Sequence, residues 1–135
     1  ADTALFSTPG VHIGLFCSTP MVALSRNVAD KHAMEMLLTG DMTQADRAAE
    51  IGLVNRAVAP DLLEETAMEL ARKIASKSSM TLATGKRAYY TQREMTLPQA
   101  YDYASGVMVE NMLAQDACEG IGAFIEKRAP EWQDA

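Results

Sequence analysis

The feature that most constrains this chain is an imbalance between its helices and its strands. From Ser18 onward it carries one helical stripe after another, and only two short extended runs precede them. Ala4-Leu5-Phe6-Ser7 reads as a short strand. After the turn signal Pro9-Gly10, Val11 to Phe16 reads as a second apolar, partly β-branched run. One or two short strands do not make an independent sheet. The expected fold is therefore mainly α with one or two short N-terminal strands, its helices packing on a sheet that these residues do not supply.

The stretch from His32 to Pro60 marks its junctions most clearly. Ala33, Met34, Met36, Leu37 and Leu38 predict a largely apolar helix, with Gly40 just past it as a left-handed C-cap. Thr43 with Asp46 predicts the cap of a second helix, which Gly52 ends. Leu53 to Val58 is extended in character. Ser18 or Thr19 predicts a helix start. Further on, Asp61 with Glu64, Thr96 with Gln99 and Asp116 with Glu119 each predict a boxed helix start, and Pro98 is tolerated in a first turn. The stripes behind those starts carry Leu62, Leu63, Ala67, Leu70, Ala71 and Ile74, then Leu97, Ala100, Tyr101, Ala104, Val107 and Met108, then Ile121, Phe124 and Ile125. Residues 80–92 predict a further helix that buries Leu82, Ala83 and Tyr90. Five of the nine methionines, Met34, Met36, Met68, Met108 and Met112, fall on helical faces, where Met fills irregular gaps.

Composition removes several function classes. The formal charge of −6 and the absence of a basic run argue against a nucleic-acid partner. No window is apolar for long enough to span a bilayer, and no charged-then-apolar leader opens the sequence, so no membrane partner is expected. Cys17 and Cys118 are far apart and form no CxxC pair, which suits a reducing, cytoplasmic compartment. His12 and His32 have no Cys, His or carboxylate at ligand spacing, so no metal is expected.

Three stretches carry a resemblance. LTGDMTQADRAAEIGLVNRAV, FSTPGVHIGLFCSTPMVALSR and EGIGAFIEKRAPEW are similar to segments of the enoyl-CoA hydratase/isomerase (crotonase) family. The PGVHIGLFCSTP pattern resembles the enoyl-CoA hydratase domain-containing protein 3 branch of that family, which likewise has Pro-Gly in place of Pro-Glu. The resemblance covers nearly the whole chain and corresponds to the C-terminal half of a crotonase (ClpP/crotonase-like α/β) fold. It implies that residues 1–58 end the crotonase core, with short strands and helices bordering an acyl pocket. Residues 59–135 would then be a helical oligomerisation region. The implied partners are an acyl-CoA substrate, the protein's own N-terminal half, and further copies in a homotrimer or dimer of trimers. Coenzyme A enters as part of the substrate, and no separate cofactor is implied.

The resemblance also assigns positions. In the family the residue after the proline is one of two carboxylates that handle the water and the proton of hydration. Hydration needs both, because one group activates the water while a proton reaches the α-carbon. Here that position is Gly10, which has no side chain, so no catalytic residue is assigned. Pro9, Gly10, Ser18 and Met21 would border the acyl chain. Phe124 would pack on the adenine of coenzyme A and Lys127 would pair with phosphate. The plain alternatives are Phe124 in a core and Lys127 as a solvated charge. Arg128 and Lys86 carry no assigned role. Cys17 as a nucleophile would need a base within hydrogen-bond reach, and His12 is five residues away in an extended run.

The family's oxyanion hole, two backbone N–H groups that stabilise an enolate, belongs to the half that is not matched here. The implied function is the C-terminal part of an acyl-CoA-processing enzyme, inactive as a fragment. The alternatives are a non-catalytic acyl-CoA-binding or oligomerisation module, and an interaction bundle unrelated to coenzyme A.

Overall fold

A computed structural model describes residues 1–134. Seven helices and one two-stranded ladder follow one another among the described residues. Strand β1 (Leu5–Phe6) is followed by a 3₁₀ turn (Pro9–Ile13) and helices α1 (Ser18–Leu24) and α2 (Asp30–Thr39). Strand β2 (Thr43–Gln44) leads into α3 (Ala45–Glu50), and a second 3₁₀ turn (Pro60–Leu62) leads into α4 (Leu63–Ala75). Helices α5 (Ser79–Gln92), α6 (Leu97–Met112) and α7 (Gln115–Glu126) complete the order. The strands pair antiparallel, Leu5 opposite Gln44 and Phe6 opposite Thr43. The expected fold class holds: mainly helical, with a minimal β element.

The chain divides into two compact units, one from Ala1 to Met68 and one from Glu69 onward, with the boundary inside α4. In the first, Leu24, Val28, Ala33, Met36 and Leu37 form the core, and Phe6, Cys17, Met21, Ile51 and Leu53 pack on it. Leu37 is 2% exposed. Truncating it to alanine is expected to cost about 2–5 kcal/mol by urea denaturation, because a core this small has few side chains to fill the gap.

The end of α2 shows how residues 7–12 are seated. Its last carbonyls have no helical partner. The Ser7 hydroxyl donates to Gly40 O at 2.7 Å, the Thr8 hydroxyl to Met36 O at 2.8 Å, and His12 Nε2 to Thr39 O at 3.0 Å. Gly40 has φ of 68°, the left-handed C-cap its position predicts, and Gly52 has φ of 82°.

In the second unit α5 and α6 pack together. Ser78 caps α5, its Oγ accepting the Thr81 N–H at 3.1 Å. Thr96 and Gln99 form the expected box, with Gln99 Oε1 accepting the Thr96 N–H at 3.2 Å. Only Ser78, Asp116 and Ala123 are buried among the described residues of this unit.

Several expectations are corrected. Val11 to Phe16 is no strand: Pro9 opens a 3₁₀ turn, and Gly14, at φ of 76°, closes it. Leu53 to Val58 is no strand either, because no described strand lies beside it to supply a ladder; Leu53 and Val54 instead donate to Ala48 O. Thr43 caps nothing, since it pairs with Phe6 and α3 starts two residues later. The boxes at Asp61 and Asp116 do not form. Helix α1 already begins at Ser18, with Cys17 as its cap position.

The larger correction concerns burial. Leu82, Ala83 and Tyr90 are exposed, as are Ile121, Phe124 and Ile125. Of the five face methionines only Met36 is buried. The stripes on α4, α6 and α7 are helical as expected, and among the described residues most of their large apolar side chains stay exposed. Each large aliphatic side chain left in water forgoes about 1.5–3 kcal/mol of burial.

Candidate functional site

Two places carry the residues singled out by sequence, one in each unit. In the first unit the Pro9–Ile13 turn folds back on itself. Leu15 N–H donates to Gly10 O at 3.0 Å, and Gly10 N–H donates to Cys17 Sγ at 3.3 Å. A Cβ on Gly10 would lie 2.7 Å from the Leu15 carbonyl oxygen and 2.8 Å from Cys17 Sγ. So Gly10 lacks a carboxylate, and the turn around it has no space for one.

Pro9 and Ser18 are exposed, and the Ser18 hydroxyl donates to Phe16 O at 3.3 Å. Met21 packs on the core. An open groove of about 500 Å³ runs past Leu5, Phe6, Pro20, Leu24, Met36 and Leu53, and its wall includes none of Pro9, Gly10, Ser18 or Met21. The structure therefore brings Gly10 and Cys17 together, with Ser18 next in the chain and the Met21 N–H donating to Cys17 O at 3.0 Å, yet none of them lines the groove. His12 Nε2 donates to Thr39 O, and among the described residues the hydrogen-bond partner of Cys17 Sγ is the Gly10 N–H rather than the His12 ring. His32 Nδ1 accepts from Arg47 Nη2 at 3.4 Å. Among the described residues no group of three metal-ligating side chains converges.

In the second unit the site is the end of α7. Phe124 is 84% exposed, so it is not part of this unit's own core. It lies on an apolar groove of about 540 Å³ with Thr81, Leu82, Met112, Ile121 and Trp132. Lys127 sits at the C-cap with φ of 55° and ψ of 39°, in the left-handed region.

The residues around it were not foreseen. Arg128 donates through Nη1 and Nη2 to both oxygens of Glu119, at 2.5 and 2.9 Å, and through Nε to Glu126 at 2.6 Å. Glu119 Oε1 also accepts the Glu131 N–H at 2.8 Å. Asp116, 2% exposed, accepts the Gln133 and Asp134 N–H groups at 2.7 and 3.0 Å. Trp132 donates from Nε1 to Ser76 O, and its ring lies 3.2 Å from where a Cβ of Gly120 would be. Two sequence signals touch this cluster: the EGIGAFIEKRAPEW stretch, which holds Glu119, Arg128 and Trp132, and the acidic pair Asp116 and Glu119, whose box spacing pointed to the wrong partners.

These bonds shift the carboxylates in one direction. The Arg128 guanidinium, then the Glu131 N–H, hold Glu119 down from 4.5 to about 2. The Ser78 hydroxyl, with the backbone N–H groups of Gln133 and Asp134, lowers Asp116 against the opposing effect of burial. A depressed carboxyl stabilises the fold above its unfolded pKa and ceases to do so as pH falls through the folded one. Stability is therefore expected to decline from about pH 4.5 toward pH 2. Urea midpoints measured across that range check it, and Glu119→Gln should flatten the curve.

Comparison with known proteins follows the same lines. The family model for enoyl-CoA hydratase/isomerase matches residues 1–135. The rat enoyl-CoA hydratase domain-containing protein 3, mitochondrial, is 48% identical over 132 residues, covering 98% of this chain and 44% of that protein. A crystal structure of enoyl-CoA hydratase from Mycobacterium smegmatis aligns with a TM-score of 0.93 at 47% identity, over 97% of this chain and 51% of that one. The human enoyl-CoA hydratase domain-containing protein 3 aligns with a TM-score of 0.91 at 46% identity, over 97% and 52%. The chain spans about half the length of the curated relatives it matches. The word mitochondrial in those names does not fit the cytoplasmic expectation. Among the described residues no helix is long and apolar enough to cross a membrane.

Proposed function

This chain belongs to the enoyl-CoA hydratase/isomerase family, and we propose that it is the C-terminal half of an acyl-CoA-processing enzyme, inactive by itself. The observation that carries this reading is the set of apolar helix faces left bare in the second unit, Leu97 and Tyr101 at 71% exposure, Leu113 at 79% and Ile125 at 72%. Faces of this kind mark surfaces that another layer covers. An N-terminal half supplies the sheet, and further copies complete a trimer or dimer of trimers.

In this reading Phe124 takes the adenine and Lys127 a phosphate of the coenzyme A handle. The acyl chain runs past Pro9, Gly10, Ser18 and Met21. Two backbone N–H groups from the other half polarise the thioester carbonyl and stabilise the enolate. Residues 1–58 serve the acyl pocket and 59–135 the assembly. Lyase or isomerase chemistry in fatty-acid metabolism is the activity class that follows.

A second reading, acyl-CoA binding without turnover, is favoured by Gly10. With no carboxylate there and no space for one, the two-group addition of water across a double bond lacks a participant. Hydration of crotonyl-CoA, followed by loss of the conjugated thioester absorbance, separates the two. The chain alone is expected to give no turnover, and turnover by it would refute the first reading. Coenzyme A binding without hydration in the full-length protein would select the second.

A further inference from the structure

We propose that Glu119, acting through Arg128, is a positioning residue that keeps the Lys127 ammonium fixed and unpaired for a phosphate of the coenzyme A handle. The inference rests on the acyl-CoA reading above and assigns a task to two residues which that reading leaves idle.

The first argument is conformational. Lys127 has φ of 55° and ψ of 39°, a region that residues with a Cβ occupy rarely and hold only where their surroundings over-determine it. Here the surroundings are explicit. Lys127 N–H donates to Phe124 O at 3.3 Å and Arg128 N–H to Ala123 O at 3.0 Å, closing the helix. The residue before Lys127 and the residue after it are then tied together by the Arg128 Nε bond to Glu126. Glu119 anchors that assembly from about two turns back on α7, taking both guanidinium arms and the Glu131 N–H.

The second argument is electrostatic. The end of α7 is a poor place for an anion, because the last helical carbonyls give it negative character. Glu126 lies on that last turn, and Glu119, through the Glu131 N–H and Arg128, is bonded to the segment that follows it. Arg128 occupies Glu119 and Glu126 together, the first through a two-pronged fork. No described residue forms an ion pair with Lys127. Breaking the fork loosens the turn that holds Lys127, and where Arg128 is the residue changed it also frees two carboxylates to compete with phosphate for the Lys127 ammonium. A lysine in place of Arg128 would restore the charge but not the fork.

The test is calorimetric titration of the full-length protein with coenzyme A and with a pantetheine thioester that lacks the nucleotide phosphates. Glu119→Gln and Arg128→Lys are each expected to weaken coenzyme A about tenfold, with the pantetheine thioester unchanged. The dependence of coenzyme A affinity on salt should become shallower in Arg128→Lys, where both carboxylates remain to compete with phosphate. Arg128→Lys keeps the net charge and serves where Glu119→Gln fails to fold. If both variants hold coenzyme A within about twofold of the parent while Lys127→Ala loses it, the positioning role is wrong and the acyl-CoA reading stands. Equal losses for both ligands would mean a merely structural pair and would also overturn it. If Lys127→Ala itself changes nothing, the phosphate contact falls and the positioning role falls with it.

Discussion

Replacing Gly10 by glutamate is expected to yield a less stable protein and no hydratase. The substitution restores the side chain that the family position calls for, yet the turn is built around its absence. Gly10 is not among the positive-φ glycines, so backbone conformation is no obstacle. The obstacle is space: the Leu15 carbonyl oxygen at 2.7 Å and Cys17 Sγ at 2.8 Å stand where a Cβ would go. Leu15 cannot retreat freely, because its own N–H donates to Gly10 O across the same turn. Overpacking of this kind costs about 1–3 kcal/mol. Gly10→Ala isolates the steric part from the carboxylate. Its urea midpoint should fall, and an unchanged midpoint would show that the turn yields. Adding Cys17→Ala should recover only part of the loss, since the Leu15 carbonyl remains in place.

The same turn shows what sequence could and could not reveal. Local chemistry was legible wherever one residue type answers one backbone demand. Gly40 and Gly52 lie in the left-handed region at the ends of α2 and α3, and Thr96 with Gln99 forms its box. Gly10 was legible as a missing carboxylate through the resemblance. That Cys17 comes back against it was not, because the contact depends on a 3₁₀ turn hidden inside a β-branched run. Thr43 looked like a cap and proved to be a strand residue, since its partner Phe6 lies 37 positions upstream and a two-residue pairing leaves no local signature. Asp116 and Glu119 had capping spacing, but backbone groups of the tail reach them first. Arg128 lies in the EGIGAFIEKRAPEW stretch that carries the resemblance, but nothing local to it points to Glu119 nine residues back. The imbalance of stripes over strands implied faces that this chain does not cover, but which side chains stay bare did not follow from it, because amphipathicity fixes which face is apolar and not what covers it.

That uncovered surface carries the other large expected effect. The isolated chain should self-associate, and charged residues at Leu113 and Phe124 should reverse it. Leu113 is 79% exposed and Phe124 84% exposed, so neither contributes much to the unit's own core. Tertiary stability should therefore survive Leu113→Glu with Phe124→Glu, with a thermal midpoint near that of the parent. Association should not. Burying a leucine or phenylalanine fully is worth about 1.5–3 kcal/mol, so losing two contacts weakens assembly by about 10²–10⁴-fold. Sedimentation velocity across a concentration series reads that change directly. Double mutants that assemble like the parent would place the contact surface elsewhere on the chain. A parent that stays monomeric at every concentration would show that copies of this chain do not cover these faces. The covering layer would then come from the N-terminal half alone, and mixing the two halves should protect Leu113 and Phe124 from solvent where self-mixing does not.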